Sequence, residues 1–329
     1  MSATETQGRR ERPELEETLR LLDSAGDGAI SADVIYGLDS LTSDEIEALT
    51  PIWLSLDDDV RRRVVLALSE ASETNFEFDF NPFGRFALND PVPTVRALAV
   101  DLLWEDTSLD VMKALVALVH DDESAEVRAS AASALGPFVL MGELGELDSA
   151  HAEHIQDLLL ETYNNEREDI EVRRRALEAV ANSGHEAVED AILEAYHSDE
   201  HRMHVSALFA MGRTADDRWT PIVLEELESD DHELRYEAAR AAGELELEDS
   251  IPVLTRIAFD DEVEIRDVAV WALGEIGGRE PMRVLQVLSE EAKESDDEDL
   301  MNAIEDAIAT ANLGKDSSMY LIDFPDDPR

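Results

Sequence analysis

The sequence predicts an all-α fold, a solenoid of stacked helical pairs, and three observations predict it. A short template recurs along the 329 residues: an acidic turn, an apolar residue and Arg, then small residues at fixed offsets. Its central copies are equally spaced. The offsets of its small and apolar residues place one apolar stripe on a helix of roughly three turns.

The template is clearest from Asp260 to Gly274, DDEVEIRDVAVWALG. With Arg at position zero, small residues fall at three and six, an apolar residue at seven and Gly or another small residue at eight. Arg266 gives Ala269, Ala272, Leu273 and Gly274; Arg235 gives Ala238, Ala241, Ala242 and Gly243. His204 replaces Arg ahead of Ala207, Ala210, Met211 and Gly212, and Arg173 precedes Ala176, Ala179, Val180 and Ala181. Arg128 leads to Ala131, Ala134, Leu135 and Gly136; Arg96 and Arg61 fit more loosely, and a last copy without Arg begins at Met301. Positions 173, 204, 235 and 266 are separated by equal steps of 31 residues. A fixed period in this range means helical pairs that each bury their apolar face on their neighbours. Gly212, Gly243 and Gly274 are expected to provide left-handed helix caps.

These residues resemble the HEAT family in its short-repeat form, the PBS-lyase type first described in bilin lyases. The resemblance covers about Asp57 to Ala309. It implies a right-handed α-α superhelix, a HEAT-like solenoid of about seven to eight helical pairs. In such proteins the Asp and Arg of successive turns form a ladder, so the template arginines are expected to be structural. The second helices line the concave face.

Taken in order, residues 1–12 read as a disordered N-terminal tail and 13–56 as a helical N-terminal cap. Pro13 to Ala25 is a first helix, and Thr42-Ser43-Asp44-Glu45 is a capping-box start for a second one through Leu56. A cap is needed because the first repeat would otherwise expose its apolar side. Residues 57–313 are the solenoid. Five of the nine phenylalanines lie between Phe76 and Phe86, and this stretch is expected to be an irregular first helix burying its rings, with an aromatic binding surface as the alternative. Met141 to His154 lengthens one step and reads as an inserted loop followed by a helix from about Asp148 to Tyr163. Residues 314–329 are an acidic C-terminal tail with an apolar patch from Met319 to Phe324, either docked on the solenoid or a recognition segment.

Composition excludes several functions. There are no cysteines, hence no disulfide, thiolate nucleophile or Cys-ligated zinc. Neither an apolar leader nor a membrane-length apolar run is found, so a cytoplasmic protein away from membranes is expected. The 78 acidic and 27 basic residues give a net charge of −51. That contradicts a nucleic-acid partner, which requires a basic footprint. An acid-rich chain with only Lys113, Lys293 and Lys315 as lysines resembles proteins of salt-accumulating halophiles, particularly haloarchaea.

No catalytic residue, cofactor or metal site is predicted. His197, His201 and His204, near Glu194 and Glu200, are the best metal candidates, but a turn is expected at Ser198-Asp199-Glu200, which takes the three off one helix. Deoxyhypusine hydroxylases place His-Glu pairs just after the template Arg, where this chain has Ala129-Ser130, Arg174-Arg175, Val205-Ser206, Tyr236-Glu237 and Asp267-Val268. Positions one and five share an outward stripe. There the chain carries Arg174/Glu178, Val205/Phe209, Tyr236/Arg240 and Asp267/Trp271. Aromatic residues and Arg are the usual anchors of protein recognition. The expected function is therefore a non-enzymatic scaffold that holds a protein or peptide partner in the concave groove through Val205, Phe209, Tyr236, Arg240 and Trp271. The alternative is a bilin-lyase-like or other small-ligand enzyme or chaperone on the same fold.

Overall fold

The computed structural model describes residues 12–319 apart from 27, 261 and 296, and the backbone alone for 314–319. The chain divides into two compact units, residues 1–179 and 180–329. Among the described residues every regular element is helical, and none is long and apolar enough to cross a membrane.

The first unit opens with α1 (Leu15–Asp23), α2 (Ala32–Gly37) and α3 (Ser43–Trp53). The capping box at Thr42 is formed: its backbone N–H donates to Glu45 Oε2 at 2.8 Å, and its Oγ1 accepts from the Glu45 N–H at 3.4 Å. The short α2, capped by Ser31, is not anticipated by the sequence reading. Helical pairs follow as α4 (Asp58–Thr74), α5 (Asn81–Ala87), α6 (Pro93–Leu102), α7 (Leu109–Asp121), α8 (Ala125–Ala134), α9 (Gly136–Glu143), α10 (Ser149–Asn164) and α11 (Ile170–Val180). The insertion is more helical than expected. Helix α9 runs to Glu143 and α10 begins at Ser149, leaving only 144–148 as a turn with Gly145 at φ +72°.

The second unit contains α12 (Ala187–Tyr196), α13 (His201–Arg213), α14 (Thr220–Glu226), α15 (His232–Glu244), α16 (Ile251–Ile257), α17 (Val263–Ile276), α18 (Arg279–Ser295) and α19 (Glu298–Met319). Within it α13, α15, α17 and α19 pack side by side as one layer, each also packed on its own first helix α12, α14, α16 or α18. Helix α19 continues through Gly314 to Met319, past the position at which the tail is expected to begin. Residues 1–11 and the patch beyond Met319 lie outside the described residues.

Four of the template arginines, Arg61, Arg96, Arg128 and Arg266, form a ladder by reaching forward to the turn acid of the next repeat, whereas Arg173 donates to the Tyr163 carbonyl at 2.7 Å. Arg61 Nη1 donates to both Asp90 oxygens at 2.9 Å, Arg96 holds Asp122 with two bonds of 2.8 Å, and Arg128 holds Glu168 at 2.6 and 3.1 Å. In the second unit Arg266 Nη1 lies 3.4 Å from Asp297. Several also reach back to a carbonyl of their own turn: Arg96 to Asp90 O, Arg128 to Asp122 O and Arg235 to Ser229 O, at 2.7–2.8 Å. A planar fork with five donors can satisfy a carboxylate and a carbonyl together, which a lysine cannot.

Asp90 extends the ladder into the N-terminal helices. Its side chain is fully buried, and it accepts from Arg61, from Trp53 Nε1 at 2.7 Å and from the Val92 N–H at 2.8 Å. Around it the phenylalanine stretch packs much as expected. Phe80 and Phe83 are buried, Phe83 lies edge-on to Trp53 at 5.2 Å, and Phe78 stacks on Phe80 at 5.0 Å. Phe76 alone is open, at 74% exposure.

The template glycines have a different role from the one expected. Gly212, Gly243 and Gly274 lie inside α13, α15 and α17, where no left-handed cap is called for. A Cβ on Gly212 would stand 2.9 Å from Ala241 Cα, and one on Gly274 would stand 2.8 Å from Ala307 Cα. These residues let adjacent second helices touch backbone to backbone. The left-handed positions fall later, at Ala215 (φ 52°), Glu246 (φ 50°) and Gly277 (φ 62°).

Two predictions follow from this arrangement. Burial pushes Asp122 and Glu168 upward in pKa, but hydrogen bonds from Arg96 and the Ser124 N–H, and from Arg128 and the Asp169 N–H, outweigh it and hold both below the usual carboxylate range. The unfolded chain therefore takes up these protons first as pH falls. The ladder's contribution is whole above about pH 4.5 and is lost as pH drops through the depressed native values. In molar salt, the urea midpoint is expected to fall between pH 5 and pH 2.5. Asp122→Asn is expected to cost about 3 kcal/mol at pH 7 and to give a shallower acid limb; equal limbs would contradict the ladder's role. Glu246→Gly, which removes a left-handed non-glycine and a neighbour that raises the pKa of Glu275, is expected to gain about 0.5 kcal/mol, the difference between strain relieved and chain entropy added.

Candidate functional site

The outward stripe of the second unit is built on α13, α15 and α17. Tyr236 and Arg240 are one turn apart on α15, and Trp271 is on α17. The structure brings these three together around an open depression of about 620 Å³, lined also by Glu264, Asp267 and Val268. Trp271 is 37% exposed, and Tyr236 and Arg240 are half-buried. The edge of the indole rests on Gly243, where an added Cβ would lie 2.8 Å from ring atom Cζ3. The same glycine that lets α15 and α17 approach thus seats the ring that faces outward.

Phe209 is near this group but is not one of its free surfaces. The Arg240 guanidinium carbon lies 4.3 Å from the Phe209 ring centroid, and that of Arg213 lies 5.4 Å away. Arg240 is further held by Glu244 at 3.1 Å and Glu237 at 3.7 Å. Phe209 therefore serves as a platform for Arg240 through a cation–π contact. Val205 requires a correction: it is 8% exposed and belongs to the core. Residues 205–208 of α13 are all buried, and a β-branched apolar side chain flanked by such neighbours turns inward. In the first unit, Arg174 and Glu178 face each other at 3.7 Å, with Arg174 also on Glu171 at 2.7 Å.

Glu264 was missed by the sequence reading. It shares the face of α17 with Asp267 and Trp271, at offsets of three and seven residues, a helical spacing that was available as a signal. Asp267 accepts from Arg266 Nε at 3.1 Å, so one arm of a ladder arginine ends at the depression.

The histidines separate as the turn between α12 and α13 requires. His204 lies edge-on to Tyr196 at 4.5 Å, with Nε2 3.5 Å from Glu226 Oε1, which also accepts from the Tyr196 hydroxyl at 2.7 Å. Burial lowers the His204 pKa despite Glu226, and burial together with Glu226 raises that of Tyr196. His201 instead faces Glu233 at 3.6 Å and Asp231 at 3.8 Å. Among the described residues no three His, Cys, Asp or Glu side chains form a group that could hold a metal ion.

Residues 220–309, which span α14 to most of α19, match the family model for HEAT repeats. Over that stretch the chain carries HEAT repeats. No curated protein sequence matches the chain. Among solved structures it is similar to YibA of Escherichia coli, at 16% identity over 88% of this chain and 99% of that one, with a TM-score of 0.45. It is also similar to human deoxyhypusine hydroxylase, at 16% identity over 82% of this chain and 96% of that one, with a TM-score of 0.35. Importin beta is similar at 13% identity over 90% of this chain and 46% of that one, with a TM-score of 0.42.

The seat of Trp271 can be tested directly. Ala is the better helix former by about 1 kcal/mol, yet Gly243→Ala is expected to destabilise the chain by about 2 kcal/mol because the new methyl forces α15 and α17 apart. Trp271 emission should shift with it. An unchanged urea midpoint would refute the close approach.

Proposed function

We propose that the protein is a non-enzymatic scaffold that binds an extended segment of a protein partner across the Tyr236, Arg240 and Trp271 surface. The observation that carries this reading is an indole left 37% exposed beside a tyrosine and an arginine that is already held in place. Large aromatic residues and Arg are the groups whose burial dominates protein interfaces. An arginine braced by Phe209, Glu237 and Glu244 has little rotamer entropy left to lose on binding. The depression is open to solvent, a shape suited to a chain laid across it. Small-molecule sites, by contrast, enclose most of their ligand, so the lyase-like alternative gains no support.

The test is affinity capture from native extract in molar salt, with wild type and Trp271→Glu as baits, followed by hydrogen exchange on the captured pair. The partner is expected to be retained by wild type, to bind at least 30-fold more weakly to the variant, about 2 kcal/mol, and to protect α15 and α17. A variant with a wild-type melting profile that keeps the partner would sink this reading.

A further inference from the structure

A second aromatic surface lies in the first unit, and no part of the function proposed above rests on it. A cleft of about 210 Å³ opens between the end of α6 and the helices α7, α8 and α9. Its floor is apolar: Leu103, Leu115 and Phe138 are all at least 96% buried. Its rim carries Asp101 and Trp104, three residues apart at the end of α6, with Ser130 and Ser133 opposite them on α8.

Two features of this rim bear on what would cover it. Trp104 is 53% exposed, although an indole is the side chain with most to gain from cover. The Asp101 carboxylate has no hydrogen-bond or ion-pair partner among the described residues, while the arginines of the adjoining repeats are engaged elsewhere: Arg85 with Asp106, Arg96 with Asp122 and Arg128 with Glu168. Asp101 is solvent-exposed on the rim, and its pKa is raised, first by partial desolvation from the protein around it and then by the Glu126 carboxylate.

An uncompensated carboxylate beside an open indole, above an apolar floor, is complementary to a cation carried on an apolar stem. The indole face attracts ammonium and guanidinium groups more strongly than any other aromatic ring does. Leu115 and Phe138 offer contacts for the methylenes of the stem, and the Ser130 and Ser133 hydroxyls can accept its N–H groups. The volume lies below the range of cofactor and drug-sized sites and suits one side chain. Asp101 also occupies position five after its template arginine, the position held by Phe209, Arg240 and Trp271 in the later copies.

We propose that the Asp101–Trp104 cleft binds a single lysine or arginine side chain presented by a partner polypeptide. The cation replaces the missing counter-ion of Asp101 while its stem covers the floor, and the indole closes over it.

The experiment uses the full chain in 2 M KCl, which leaves bulk cations saturating. Capped lysine and capped arginine amides are titrated while the Trp104 indole N–H resonance is followed, with capped norleucine and citrulline amides as uncharged isosteres and n-butylammonium as the free amine. Both charged amides are expected to bind with dissociation constants on the order of millimolar, at least tenfold tighter than their isosteres. Asp101→Asn is expected to bring the lysine-to-norleucine ratio close to one, and Trp104→Leu, followed at the Ser130 and Ser133 backbone amide resonances in place of the lost indole, to weaken both charged amides at least fivefold. Both side chains are on the surface, so both variants should keep the wild-type melting profile. Equal binding of norleucine and lysine, no indole shift at 50 mM amide, or an undiminished cation preference in Asp101→Asn would overturn the proposal. Butylammonium binding tenfold tighter than capped lysine would overturn it in favour of a free amine.

Discussion

The structure depends on one repeated interaction, the forward reach of a template arginine to the turn acid of the next repeat. Arg96 with Asp122 and Arg128 with Glu168 make it with two prongs, Arg61 makes it with one nitrogen on both oxygens of Asp90, and Arg266 makes it with one longer contact to Asp297. Apolar stripes of Ala, Val and Leu would bury comparable area at several offsets along a helix. A two-pronged bond between one guanidinium and one carboxylate is satisfied at only one offset, and buried charges penalise every other. The ladder therefore selects the register, and the apolar contacts then provide most of the cohesion. Asp90 shows how far this extends. By accepting from Trp53 as well as Arg61, it ties the N-terminal helices to the first repeat with the same carboxylate.

Small residues complete what the ladder begins. With Ala or Gly at three, six and eight, backbones of adjacent second helices come close enough that a single methyl on Gly212 or Gly274 would collide with a Cα atom. Close approach turns a narrow face of each helix into the contact and leaves positions one and five at its margins. That explains why Tyr236, Arg240 and Trp271 reach solvent. It also bears on Val205: α13 is the copy in which His204 replaces the ladder arginine, and four consecutive residues of it are buried, so only Phe209 stands at the margin there.

Much of this was legible in the sequence because the repeat encodes it. The 31-residue period, the Thr42 capping box and the turn between Tyr196 and His201 come from local rules that leave clear marks. What escaped depended on neighbours distant in the chain. The glycines looked like caps because they end an apolar stripe, and only the positions of Ala241, Ala272 and Ala307 show them to be contacts. Helix α2 is too short to show a period. The insertion after Met141 looked like a loop because of its two glycines, yet Gly142 is where α9 meets Ala152 of α10. Asp101 and Trp104 belong to a copy whose match to the template is loose, so nothing along the chain marked them as neighbours in a cleft.

The net charge of −51 takes on a local meaning once the ladder is in view. Four of the few cations are committed to carboxylates between repeats, of which Asp90 is fully buried, so the acids left at the surface go short of partners. Asp101, raised in pKa by partial desolvation and Glu126, and Glu275, raised by burial, Glu246 and Glu244, are where the shortage shows. Added salt treats the two populations differently. At 1 M the screening length is roughly 3 Å, which removes repulsion among exposed acids but scarcely touches a guanidinium and carboxylate already in contact and shielded from water. Recognition by such a surface under those conditions cannot rest on long-range attraction. It has to rest on short-range contacts that salt leaves intact, and at the two surfaces proposed here the faces of Trp271, Tyr236 and Trp104 are what would supply them.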